Sequence, residues 1–248
     1  MTNYKLLIQY DGGRYDGWQR QGNTGNTIQG KLEHVLGEMA GHRVEIHAAG
    51  RTDAGVHARA QTASFQLQTA FTLREIRDYC NRYLPDDIAV LSCEAADERF
   101  HARLHARAKR YVYRLWTGET PNVFERRYLT PRPEPLDLNA MRRAAALLTG
   151  THDFRAFCSN KRYKKSTVRT IFEIKIERLG DEVRLRFFGD GFLYNMVRIL
   201  TGTLVEVGMG QRSPESMAAI LESRDRQQAG ITMPPQGLIL EEVLYENA

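Results

Sequence analysis

The chain has 248 residues, a formal net charge of +5, 42% hydrophobic and 26% charged side chains, the balance of a soluble globular protein with one large domain or two small ones. No uncharged apolar run approaches membrane-spanning length, so no membrane-spanning helix is expected. Three widely spaced cysteines, Cys80, Cys93 and Cys158, contain no CxxC pair and speak against a disulfide framework or a cysteine zinc site, which fits a reducing cytosol. In chain order, the first half reads strand, helix, strand, strand, helix, strand. A strand over about 4–11 opens the chain with no signal peptide before it, and a glycine-rich loop, Asp11 to Trp18, follows. Asn26 and Gln29 have the spacing of an N-cap and its reciprocal partner, ahead of a helix burying Ile28, Leu32, Val35, Leu36 and Met39 and ending at Gly41. Strands near 43–49 and 61–68 bracket the loop Arg51–His57; a helix over 72–83 stops before Pro85, and Ile88 to Leu91 reads as a strand.

The second half repeats that order loosely. A strand over 108–117 alternates Tyr111, Tyr113 and Leu115 on one face. A helix over 137–149 sets Leu138, Met141, Ala145 and Leu148 on one side, strands at 169–178 and 182–188 turn at Leu179-Gly180-Asp181, and a long apolar helix spans 192–207. A short helix near 213–223 and a strand from Leu238 to Tyr245 finish the chain. Two successive β-α-β-β-α units predict an α+β protein of two similar lobes with antiparallel mixed sheets flanked by helices and a central cleft between them. The expected boundary is near Leu104, giving an N-terminal lobe 1–104 and a C-terminal lobe 105–248.

Charge is concentrated in two acid-free stretches. Residues 99–114 hold Arg99, Arg103, Arg107, Lys109, Arg110 and Arg114 beside His101, His105, Phe100, Tyr111 and Tyr113; residues 161–169 hold Lys161, Arg162, Lys164, Lys165 and Arg169 beside Tyr163. Cations for phosphates interleaved with flat rings for stacking are what an RNA groove requires. The chemistry is narrowed by what is missing. There is no HExxH, GxSxG, Walker loop or GxGxxG, and no clustered carboxylates and histidines of the kind metal-assisted phosphodiester cleavage needs. Asp53 then stands out in a loop of small residues beside Arg51. It reads either as a turn whose carboxylate caps local N–H groups or as a lone carboxylate acting as nucleophile or base. Arg198, off the apolar stripe of its helix, calls for an anionic partner if it is half-buried.

The stretch Ala49-Gly50-Arg51-Thr52-Asp53-Ala54-Gly55-Val56-His57-Ala58 resembles the signature of the TruA-type tRNA pseudouridine synthases. Tyr10-Asp11-Gly12 with Tyr15, Gly17, Trp18 and Gln19, Leu84-Pro85-x-Asp87-Ile88, Phe100-His101-Ala102-Arg103, Lys109-x-Tyr111-x-Tyr113, Val168-Arg169-Thr170-Ile171, Gly191 to Arg198 and Gly237-Leu238-x-Leu240 follow in family order, so the resemblance spans essentially the whole chain. It implies a cytoplasmic homodimer that isomerises uridine to pseudouridine in the anticodon stem-loop of tRNA, with no metal, no small-molecule cofactor and no membrane partner. It further implies Asp53 as the catalytic carboxylate, and a substrate site made by Tyr111, Arg51, Arg198 and Leu238. Arg198 is the cation paired with Asp53, and Arg51 is associated with displacing the target base. RNA contacts are expected from Phe100, His101, Arg103, Lys109, Arg110, Lys161, Arg162, Lys164 and Lys165. Attack of Asp53 on uracil C6 and attack on ribose C1′ both remain open. Leu104-His105 departs from the family pattern after the Phe-His-Ala-Arg motif, and the 161–165 loop is idiosyncratic. The main rival reading is a non-catalytic RNA-binding protein or tRNA folding factor, which explains the charge and the aromatics but not Asp53 and Arg198 together. A metal-dependent nuclease is a distant third.

Overall fold

The structure is a computed structural model describing residues 1–132, 134–160, 162 and 164–245. The chain divides into two compact units: Met1–Arg107 together with the C-terminal segment from Leu240 on, and Ala108–Ile239.

In the first unit, β1 (Thr2–Tyr10) leads through a short 3-10 turn at Gly12–Arg14 to α1 (Ile28–Ala40). The N-cap of α1 is Thr27, not Asn26: its hydroxyl accepts the Gly30 N–H at 3.1 Å. Asn26 instead donates to the Arg14 carbonyl, and the Gln29 side chain accepts the Arg20 N–H, so the expected capping pair serves the preceding loop. Gly41 ends the helix at φ 73°, a left-handed cap. The expected strand at 43–49 is reduced to β2 (His47–Ala48), although Val44 and Ile46 are buried as its alternation requires. Strand β3 (His57–Leu67) starts directly at the end of the Asp53 loop, four residues earlier than its hydrophobic pattern suggests. Helix α2 (Leu73–Tyr83) begins with a full capping box between Thr72 and Glu75, and β4 (Ile88–Ala96) is longer than its apolar core. The sheet order is β4-β1-β3, all antiparallel, with Tyr4 opposite Phe65 and Leu6 opposite Ala63. Its core gathers Leu6, Ile8, Trp18, Ile28, Leu32, Leu36, Ile46 and Phe65, all fully buried.

The second unit opens with β5 (Ala108–Trp116), which pairs in parallel with the short β6 (Thr130–Pro131). Asp137 caps α3 (Leu138–Leu147), accepting the N–H groups of Asn139 and Ala140. After β7 (Gly150–Asp153), a strand too polar to register as one, come the hairpin strands β8 (Val168–Leu179) and β9 (Glu182–Gly189), turning through Gly180 at φ 60°. The antiparallel order is β5-β9-β8-β7. Helix α4 (Met196–Gly208) begins four residues later than its apolar run, because Asn195 sits at φ 62° and breaks the helix there. All of its residues except Arg198 and Glu206 are buried, and the segment 229–233 supplies part of that cover. The Gly230 N–H donates to Thr203 Oγ1, the Ile231 N–H to Glu206 Oε1 and the Met233 N–H to the Arg198 carbonyl. A Cβ at Gly202 would lie 2.0 Å from the Ile231 carbonyl oxygen, so only glycine admits that segment. Helix α5 (Ser216–Ser223) precedes β10 (Leu238–Leu244), whose residues from Leu240 on belong to the first unit.

Candidate active site

Asp53 opens a reverse turn. The Val56 N–H donates to the Asp53 carbonyl at 3.1 Å, and Gly55 at the third position has φ 76°, as a type II turn requires. The turn reading of this stretch is therefore right for the backbone, and it sets no limit on what the carboxylate does. Asp53 is half-buried, Arg51 is exposed and Thr52 between them is buried.

The glycine-rich loop Asp11–Trp18 clamps this turn on both flanks. On one side the Trp18 N–H donates to the Thr52 carbonyl at 3.0 Å, and Gly17, at φ 95°, has no room for a Cβ, which would lie 2.8 Å from that carbonyl oxygen. The Thr52 hydroxyl pairs with Tyr10 Oη at 2.8 Å in the interior. Burial pushes the Tyr10 phenol up to about 12 against the opposing pull of Thr52 and Gln61, so it stays a neutral hydroxyl that holds Thr52 in place. On the other side the Gly55 N–H donates to the Tyr15 carbonyl at 3.3 Å, and the Gly12 N–H donates to His57 Nδ1 at 3.0 Å. Asp11 Oδ1 also lies 2.9 Å from that nitrogen, and a Cβ on Gly12 would meet the Val56 carbonyl oxygen at 2.0 Å. At the upstream end the Gln61 amide donates to the Gly50 carbonyl at 2.9 Å. The glycines of the opening motif are thus the surface on which the Asp53 loop is laid.

Tyr111 lies on β5 opposite Phe187, 7% exposed, with its ring edge-on to Phe192 at 5.2 Å. Arg198 is half-buried near the start of α4, its Nε donating to the Met233 carbonyl at 2.6 Å and its Nη1 to Asn195 Oδ1 at 2.9 Å. These neutral oxygens aim the guanidinium without cancelling its charge. The left-handed Asn195 that delays the helix is what brings its own side chain back onto Arg198. The segment 192–195 therefore touches both residues, Phe192 meeting Tyr111 and Asn195 meeting Arg198. Leu238, 5% exposed, follows the turn Pro235–Gly237. That turn packs on β5: a Cβ on Gly237 would meet the Tyr113 ring at 2.7 Å, and the Tyr113 hydroxyl donates to the Pro234 carbonyl while pairing with Thr130. Arg51 and Asp53 thus belong to the first unit, and Tyr111, Arg198 and Leu238 to the second.

The basic stretches divide by environment. Arg114 is buried and ion-paired to Glu182 at 2.6 Å and Glu125 at 2.5 Å, so it serves the fold. Lys109 and Arg110 are half-buried on β5, with the Arg110 guanidinium 4.2 Å from the Phe188 ring centre. Arg103 is exposed; Phe100 and His101 are half-buried, the former against Tyr245 and the latter stacked on His47 at 4.9 Å. Arg162, Lys164 and Lys165 are exposed, while Lys161 and Tyr163 lie outside the described residues. Among the described residues no three His, Cys, Asp or Glu side chains come together in a group that could hold a metal ion, and no helix is long and apolar enough to cross a membrane. The sequence reading assigned no role to Tyr10, Tyr15, Thr52, Asp87 or Asn195. All five stand within the matched motifs, and that is the only signal that could have found them.

Comparison with known proteins gives this arrangement a class. The family model described as tRNA pseudouridine synthase matches residues 6–104 and 144–246. A protein named tRNA pseudouridine synthase A from a Bacillus species is 49% identical over 245 residues, covering 99% of this chain and all of that one. One of the same name from an Exiguobacterium species is 46% identical over 247 residues, covering 100% of this chain and 99% of that one. A Bacillus anthracis protein named tRNA pseudouridine synthase A 2 is 45% identical over 245 residues, with 99% and 100% covered. The chain belongs to the tRNA pseudouridine synthase family, a family of isomerases.

Proposed function

We propose that this protein converts uridine to pseudouridine in the anticodon stem-loop of tRNA, with Asp53 as the nucleophile. The observation that supports this most is a half-buried carboxylate on a turn held through the Gly50 and Thr52 carbonyls, the Gly55 N–H and the His57 ring, in a chain of this family. A pre-positioned nucleophile loses little entropy on reaching its target.

The target nucleoside leaves its stack, at a cost of a few kcal/mol, and Arg51, exposed at the rim of the turn, fills or holds the vacated space. The Asp53 carboxylate attacks the nucleoside at uracil C6 or ribose C1′. The N1–C1′ bond breaks, the uracil turns, a C5–C1′ bond forms, and the bond from Asp53 to C6 or C1′ breaks with its electron pair returning to the carboxylate. C5 gives up its proton and N1 gains one, so the reaction needs no oxidant and no energy source. Tyr111 stacks on the uracil and assists removal of the C5 proton, Leu238 packs against the base, and Arg198 keeps Asp53 ionised, since an opposite charge within about 4–6 Å favours the carboxylate. Phe100, His101, Arg103, Lys109, Arg110, Lys161, Arg162, Lys164 and Lys165 hold the RNA, and the protein works as a cytoplasmic homodimer. Incubation with an unmodified tRNA transcript followed by pseudouridine mapping tests the reading. Modified uridines in the anticodon stem-loop are expected, and an unchanged transcript would overturn it.

A further inference from the structure

The Leu84-Pro85-x-Asp87-Ile88 motif places one carboxylate where it serves the Asp53 turn from a distance. The turn carrying Asp87 is pinned at both ends by backbone hydrogen bonds. Leu84 closes α2 with its N–H on the Cys80 carbonyl at 2.8 Å, and the Ile88 N–H returns to the Pro85 carbonyl at 2.9 Å as β4 begins. From this support Asp87 makes three attachments to the glycine-rich loop. Its carbonyl accepts the Asp11 N–H at 2.9 Å, its Oδ2 accepts Arg14 Nε at 2.8 Å, and its Oδ1 accepts the Tyr15 hydroxyl at 2.5 Å. Tyr15 is 5% exposed, whereas the Arg14 side chain is 71% exposed, so the tyrosine bond is the interior one. Tyr15 in turn gives its carbonyl to the N–H of Gly55, two residues beyond Asp53. We propose that Asp87 is a positioning residue for the nucleophile, acting through the Tyr15 hydroxyl on the Gly55 end of the Asp53 turn. The path runs from the α2–β4 turn to Tyr15 to Gly55, and the exposed Arg14 pair is a side branch of it.

The proposal rests on Asp53 being the nucleophile, and its test uses two readouts. Tyr15→Phe removes only the hydroxyl. Its kcat for pseudouridine formation is expected to fall about tenfold with the KM for tRNA within about twofold, because a displaced nucleophile costs rate rather than binding. Asp87→Ala should match it, and the double variant should be no slower than the slower single one, since both remove the same hydrogen bond. Asp87→Asn keeps an oxygen for the Tyr15 hydroxyl and should recover most of the loss. Hydrogen exchange of the Gly55 amide, read without any turnover, should speed up in Tyr15→Phe and Asp87→Ala. Unchanged Gly55 exchange, additive losses of kcat, an Asn variant as poor as the Ala variant, or losses explained by a smaller folded fraction would each overturn the tether. Faster Gly55 exchange in a protein whose wild type makes no pseudouridine would leave the tether standing and overturn the function instead.

Discussion

Removing the Tyr111 hydroxyl separates its two proposed duties. The ring packs edge-on against Phe192 whatever the hydroxyl does, so Tyr111→Phe should fold and bind tRNA as the wild type does while kcat falls by roughly a hundredfold or more, the scale of general-base assistance. A loss confined to KM would make the ring a stacking platform only. Arg198→Lys is equally sharp. In the wild type Nε and Nη1 bind two different oxygens, Met233 O and Asn195 Oδ1, and a lysine presents one compact ammonium that cannot keep both bonds and its aim. Single-turnover rates for Arg198→Lys should fall at least about tenfold with little change in tRNA affinity, as expected for lost electrostatic preorganisation.

At the scale of elements, the fold depends on backbone approaches that only glycine allows. Gly202→Ala would set a methyl 2.0 Å from the Ile231 carbonyl oxygen. It should destabilise the second unit by about 1–3 kcal/mol, the cost of overpacking, measured by urea titration of wild type and variant; equal midpoints would show that the 229–233 segment is not seated on α4 as described. The amphipathic elements were legible in the sequence. Helix α1 with Gly41, α2 before Pro85 and the hairpin through Gly180 announce themselves by period and by punctuation. What was not legible depends on tertiary partners. Thr27 caps α1 because Asn26 is drawn to the Arg14 carbonyl, and α4 starts at Met196 because Asn195 turns left-handed to meet Arg198. Strand β7, Gly-Thr-His-Asp, has no apolar pattern and exists by pairing with β8. The placement of residues from Leu240 on in the first unit has no local signal at all. For the candidate site, motifs named Asp53, Tyr111 and Arg198, but the clamp of glycines and carbonyls around Asp53 is a property of the fold.

For the whole molecule, charge sorts into buried pairs that hold the fold and exposed cations available to a polyanion. Burial pushes the Glu182 carboxyl up, but its bonds to Arg114 and Arg184 outweigh that and hold it down at about 2. Its folded value lies below its ordinary 4.5, so the cluster contributes fully above that pH, and the contribution is lost as pH falls toward about 2. The stability difference between wild type and Glu182→Gln should therefore shrink across that interval in urea titrations; a constant difference would contradict the pairing. Lys164 and Lys165 are exposed, so the RNA contacts proposed for them should affect binding and not stability. Replacing both with alanine should lower the slope of log affinity for tRNA against log salt by about two, about one for each phosphate left without its lysine; an unchanged slope would remove this loop from the RNA surface.

Every role proposed for the site depends on Asp53 performing the chemistry on a uridine of tRNA. The most direct test is pseudouridine mapping of one unmodified tRNA transcript after incubation with wild type and with Asp53→Asn, the two proteins matched for tRNA affinity. Pseudouridine is expected in the anticodon stem-loop with the wild type, and none with Asp53→Asn. Modification by the Asn variant at a rate near that of the wild type would contradict that role for Asp53.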